Sequence, residues 1–151
     1  MFTIRKIFKV EAAHQLEEGR CFSKACSDSI HGHSYVIEVF LSAEKLDANG
    51  MVIDFGQLKE LIGKYIDSWD HAIILSDKTA KSYGKDFLAK NKKVKIVPYN
   101  PTAEEMAQNM HGYICEDLCW PPDYVKVRVH ETATGWAEYT EDLGEIRSKT
   151  E

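Results

Sequence analysis

From Phe2 to His14 the even positions Phe2, Ile4, Phe8, Val10 and Ala12 are mostly apolar, the period of two that a half-buried strand produces. His14 falls on that apolar face. Residues 15–30 contain Gly19, several charges and two cysteines with no periodicity, which predicts a loop suited to an active site. Next, His31, His33, Tyr35, Ile37, Val39 and Leu41 share one face of a second strand, which closes in the turn-forming run Asp47-Ala48-Asn49-Gly50. Two strands so close in sequence predict a hairpin. Asp54, with Gln57 three residues on, has the spacing of a capping box, and Phe55, Leu58, Leu61, Ile62, Tyr65 and Ile66 recur at helical spacing behind it.

Residues 76–95, rich in Lys and Ser, read as a surface excursion with one short helical turn. Thr102 and Glu105 repeat the capping pattern ahead of a second apolar stripe, Met106, Ala107, Met110, Tyr113, Ile114 and Leu118. Pro121-Pro122 would end that helix. Val125, Val127, Val129 and Glu131 then share a face of a third strand, and residues 136–139 read as a fourth after Thr134-Gly135. The predicted order is ββααββ. It suits an α+β domain over residues 1–151, a four-stranded antiparallel sheet with two helices on one face.

Composition narrows the partners. Hydrophobic residues at 44% and charged residues at 28% are ordinary for a globular chain. A net charge of -5 argues against a general nucleic-acid binder, whose affinity comes from clustered Lys and Arg. No apolar run approaches the roughly 20 residues of a membrane helix, and the first residues lack the order of a signal peptide, so a cytoplasmic location is expected. There Cys21, Cys26, Cys115 and Cys119 are expected as free thiols.

The sharpest chemical signal is His31-Gly32-His33. Strand alternation points both imidazoles to one side, and His14, on the neighbouring predicted strand, can supply a third nitrogen to a zinc ion, leaving a fourth position for water or substrate. The bland alternative is a polar strand end. Asp70-His71, at the end of the first helix, could transfer protons as a pair or could be a helix-end carboxylate beside a surface histidine. Cys26, five positions before His31, could be an activated thiolate or an inert buried thiol. Cys115 and Cys119 share a helix face and read as core or interface, and the cysteine spacings do not match a four-cysteine zinc knuckle. Glu131 ends a Val-rich face, where a carboxylate either anchors a cationic or amide-rich ligand or reaches water.

Taken together and in order, Ala12-Ala13-His14, His31-Gly32-His33-Ser34-Tyr35, Gly50-Met51-Val52-Ile53-Asp54-Phe55, Trp69-Asp70-His71, Pro101-Thr102-Ala103-Glu104 and Glu131-Thr132 resemble the 6-pyruvoyltetrahydropterin synthase / 6-carboxytetrahydropterin synthase family. The resemblance implies the tunnelling fold (T-fold), assembled through trimers into a homohexamer with active sites between subunits. It implies that His14, His31 and His33 hold Zn2+, that Cys26 is the general base, and that Asp70 and His71 of a neighbouring subunit assist proton transfer. It further implies that Glu131 grips the pterin ring and that Thr102 adds a polar contact. The implied substrate is 7,8-dihydroneopterin triphosphate. In the queuosine branch of the family the products are 6-carboxytetrahydropterin, acetaldehyde and triphosphate; in the biopterin branch the side chain stays as a pyruvoyl group. Four residues separate Cys26 from His31, between the three expected of the first branch and the five of the second, while residues 53–55 and 131–136 resemble the queuosine enzymes. Two rivals are a non-catalytic metal-binding member of the fold and a relative doing aldolase or cyclohydrolase chemistry.

Overall fold

Alternation carries directly into the two longest strands, β1 (Phe2–Gln15) and β2 (His31–Ala43). Val10, Ala12 and His14 are buried on β1, and Tyr35, Ile37, Val39 and Leu41 on β2, while Lys9 and Glu11 between them are exposed. The computed structural model describes residues 1–118 and 122–143. β1 and β2 pair antiparallel along their whole length, with Ala12 opposite His33 and His14 opposite His31. The loop between them contains one short helix, α1 (Lys24–Asp28), absent from the expectation.

Helix α2 (Phe55–Trp69) starts where the cap pattern places it: the Asp54 side chain accepts from the backbone N–H groups of Gly56 and Gln57. Ahead of it, Gly50 takes the left-handed backbone (φ 77°) that closes the turn, and its N–H donates to the Asp47 carbonyl. Thr102 caps α4 (Ala103–Asp117) by accepting from Glu105 N–H. β5 (Tyr124–His130) and β6 (Trp136–Asp142) complete an antiparallel run β1-β2-β5-β6. α2 packs against β1 and α4, and α4 against β5 and β6. The core between them includes Val39, Leu58, Ile62, Met106, Met110 and Val127. Among the described residues no helix is long and apolar enough to cross a membrane.

The sheet nevertheless departs from the four-stranded expectation. It has six strands in the order β4-β3-β1-β2-β5-β6 and is mixed, because the stretch expected as a surface excursion folds as β3 (Ile73–Ser76), α3 (Asp77–Lys90) and β4 (Val94–Val97). β3 pairs parallel with β1 and β4 parallel with β3. A parallel pair needs a crossover, and α3 supplies it. The Ser76 side chain caps α3 by accepting from Thr79 N–H, and Gly84, at φ 75°, kinks it. The ββααββ order survives around this insertion. Cys119 and Pro121 lie outside the described residues.

Candidate metal centre

The register that sets His14 opposite His31 brings three imidazoles from two strands into one cluster. One ring nitrogen from each of His14, His31 and His33 lies within 4.8 Å of the others. His14 is fully buried, and its Nδ1–H donates to the Pro101 carbonyl at 2.8 Å, which leaves Nε2 as a bare acceptor. His31 Nδ1 faces the Ser29 carbonyl at 3.2 Å, and its Nε2 stands 3.0 Å from that of His14. With both Nδ1 atoms turned to carbonyls, the two Nε2 atoms face each other across the cluster. His33 Nε2 is buried with no hydrogen-bond partner.

Ring nitrogens of three imidazoles converge within 4.8 Å, and that of His33 is buried with no hydrogen-bond partner, so the donor set fits a metal ion. Carbonyl bonds at the far nitrogens are the outer contacts that orient metal-binding imidazoles. Burial, followed by the neighbouring His31 and His33, pulls the His14 pKa down to about 4 against the Pro101 hydrogen bond, and burial lowers that of His33 as well. Both are therefore neutral and able to ligate at neutral pH.

Around the cluster the other expected residues fall into place unevenly. Glu131, just past β5, brings Oε1 within 3.4 Å of His14 Nε2 and 3.8 Å of His33 Nε2. It also lines a cleft of 290 Å³ with Thr102, Ala103, Glu104 and Trp136. Cys26 is a half-buried free thiol on α1, whose carbonyl accepts from Leu16 N–H two residues beyond His14. Among the described residues no hydrogen bond joins its sulfur to the histidines. Arg20 in the same loop pairs with Glu17.

Asp70 and His71 do pair, Nδ1 to Oδ2 at 2.8 Å, at the β1 edge beside β3, and among the described residues no hydrogen bond joins them to the histidine cluster. Glu11 clamps the pair from β1, its N–H donating to Asp70 Oδ1 at 2.9 Å and its carbonyl accepting from His71 N–H at 2.6 Å. His71 takes a left-handed backbone, φ 57°. The Glu11 N–H bond, then the bond from His71, holds the Asp70 carboxyl below its ordinary range. His71 lines a 440 Å³ cleft with Glu11, Ala12, Ala13, Gly32 and Ser34, and His33 of the cluster borders the same cleft.

Two participants escaped the sequence reading. The Pro101 carbonyl orients His14; the residue stood in the motif Pro101-Thr102-Ala103-Glu104, but nothing there pointed to a contact with His14. Tyr35, counted as core, keeps a buried hydroxyl with no partner beside the rings of His14 and His33, at 5.9 and 5.4 Å between centroids. Burial, then Glu131, raises its pKa.

Fold and cluster define a T-fold-like α+β protein with a three-histidine centre able to hold a metal. The family profile of 6-pyruvoyl tetrahydropterin synthase matches residues 3–142. A 6-carboxy-5,6,7,8-tetrahydropterin synthase of Helicobacter pylori is 33% identical, with 93% of this chain and 74% of that protein covered. That of Aquifex aeolicus is also 33% identical, over 92% and 98%. Among solved structures, the Caenorhabditis elegans 6-pyruvoyl tetrahydropterin synthase superposes with a TM-score of 0.66 at 25% identity, covering 93% of this chain and 96% of that one. The chain belongs to the 6-pyruvoyl / 6-carboxy tetrahydropterin synthase family.

Proposed function

We propose that the protein is a zinc-dependent 6-carboxy-5,6,7,8-tetrahydropterin synthase, converting 7,8-dihydroneopterin triphosphate to 6-carboxytetrahydropterin, acetaldehyde and triphosphate. The observation that carries this reading is the inward-facing cluster of His14, His31 and His33. The shared name of the two 33%-identical relatives supports the carboxy branch.

His14, His31 and His33 would hold the ion. When bound, zinc supplies Lewis acidity that makes C–H bonds beside the side-chain hydroxyls easier to ionise. The protein's own groups do the rest. Glu131, at the mouth of the 290 Å³ cleft, offers a carboxylate to the amide-like edge of the pterin ring, with Thr102 on the same wall. Cys26 takes a proton as general base. The His71 ring, its Nδ1–H held by Asp70, keeps Nε2 free to accept or return a proton.

Among the described residues the dyad makes no hydrogen bond to the three histidines, and in this reading it completes the site of a second copy within a homohexamer. The pyruvoyl product remains the second reading, favoured by the profile's own name.

Incubating the zinc-loaded protein with 7,8-dihydroneopterin triphosphate and identifying products by mass spectrometry tests this. Acetaldehyde with 6-carboxytetrahydropterin is expected. A pyruvoyl product moves the protein to the other branch, and unchanged substrate overturns the enzyme reading. His31→Ala should lose metal and turnover together, whereas Cys26→Ala should keep metal and lose turnover.

A further inference from the structure

Three histidines leave one side of the cluster open, and Glu131 faces it. Its Oε1 stands 3.4 Å from His14 Nε2 and 3.8 Å from His33 Nε2. Neither contact is a hydrogen bond. At 3.4 and 3.8 Å both are longer than ordinary hydrogen bonds, and the His14 ring is oriented by its Nδ1 contact with the Pro101 carbonyl. A carboxylate oxygen and imidazole nitrogens brought this close together are donor atoms of the kind a zinc ion takes. In a tetrahedral zinc centre with bonds of about 2.0–2.2 Å, neighbouring ligand atoms lie about 3.3–3.5 Å apart. The separation from His14 falls in that interval.

The backbone that presents Glu131 is fixed while its side chain is not. The N–H groups of Glu131 and Thr132 both donate to the Gly135 carbonyl, at 3.1 and 3.3 Å, and Thr132 Oγ1 accepts from Gly135 N–H at 2.9 Å. The Glu131 side chain keeps 34% of its surface exposed. It also borders the 290 Å³ cleft with Leu16, Thr102 and Trp136. One carboxylate therefore reaches two places that it cannot serve at once.

We propose that Glu131 is an exchangeable fourth ligand, closing the metal centre while the cleft is empty and leaving it when a pterin ring claims the carboxylate. This rests on the pterin-synthase reading above and adds to it a gate. A carboxylate on the ion lowers the net charge of the centre, holds the metal more tightly and blunts its acidity. Its departure would restore an open, more acidic position only once the ring is seated, so that ring recognition switches on the chemistry.

Cobalt substitution tests the gate without turnover. Co2+ would be bound to the intact protein, to Glu131→Gln and to Glu131→Asp, whose shorter arm falls back from the ion. Each would be titrated against a competing chelator, and its visible spectrum recorded before and after adding 7,8-dihydropterin, a ring that lacks the side-chain hydroxyls. Thermal melts would establish that each variant is folded.

Both variants are expected to bind Co2+ about 10–100-fold more weakly, with altered spectra. Dihydropterin should shift the spectrum of the intact protein towards that of Glu131→Gln. Equal affinity and identical spectra in folded variants, or an intact-protein spectrum unmoved by saturating dihydropterin, would overturn the gate and leave the enzyme reading standing. A folded intact protein that binds no Co2+ at all would overturn both.

Discussion

His33 places function and stability in opposition at a single side chain. Its Nε2 is buried without a partner, a situation that costs a folded protein about 1–3 kcal/mol for each polar atom so placed. Replacing the ring by an apolar one of similar shape removes the unpaired atom. His33→Phe is therefore expected to raise the stability of the metal-free protein by about 1 kcal/mol while abolishing metal binding. Melting under chelator, with metal content measured on the same samples, checks this; a variant that melts lower than the parent would show that the nitrogen is satisfied in the metal-free state. Glu38 shows the reverse case, a charge well provided for. It is 5% exposed and accepts from His130 Nε2 at 2.8 Å and from Arg5 and Arg128 at 2.9 and 3.4 Å. The His130 bond first, and the flanking arginines after it, outweigh burial and lower its pKa. A lowered folded pKa means stability present above the ordinary value of 4.5 and lost as pH falls through the folded value below it. Glu38→Gln should cost about 1–3 kcal/mol at neutral pH, and its melting curve should converge on the parent's as pH drops below 4.5.

At the scale of elements, the caps decide where the site stands. Thr102 starts α4 immediately after the carbonyl that orients His14, so the cap and the metal cluster share one stretch of backbone. Thr102→Ala should lower stability by about 1 kcal/mol, and Thr102→Ser should restore it, both read from urea unfolding. A loss that serine fails to restore would point to the threonine methyl rather than its hydroxyl. The same caps explain what was legible in the chain. Asp54 and Thr102 announced α2 and α4, and period-two runs announced β1, β2 and β5, because each pattern reports a face buried against the core of its own domain. Residues 73–97 gave no such report. β3 and β4 are four residues each, too short to display a period, and α3 buries only Ala80. β3 pairs parallel with β1 and β4 with β3, and the first of these contacts is made across about sixty residues of chain that no local pattern encodes. The histidine cluster was legible for the opposite reason: His31 and His33 sit on one face of one strand, and His14 lies on the strand paired with it.

Across the whole molecule, the helices α2 and α4 cover one face of the sheet, and the residues alternating with the core lie on the other. There Arg128 bridges Glu38 and Glu138 and stacks over Trp136 at 4.2 Å, and Lys126 lies 4.4 Å over Phe40. The Asp70–His71 dyad sits at the β1 edge, bonded to Glu11 and to none of the three histidines, and in the proposed assembly it serves the metal of a neighbouring copy. In that assembly a ring of copies passes the dyad of each to the next. Two inactive variants should in that case rescue each other. His31→Ala retains an intact dyad and His71→Ala an intact metal centre, so a mixed assembly contains some sites built from the good half of each. For random mixing at equal amounts, one site in four combines the two intact halves, and the mixture should recover about a quarter of the parent activity. Unfolding and refolding the variants together, with each refolded alone as the reference, measures it. Recovery confined to the mixture supports a site shared between copies. Activity no greater than the sum of the two separate variants, in mixtures that size-exclusion chromatography shows to be assembled, would mean that both halves of the site act within one chain and that the dyad reaches the metal by a rearrangement of the turn at His71.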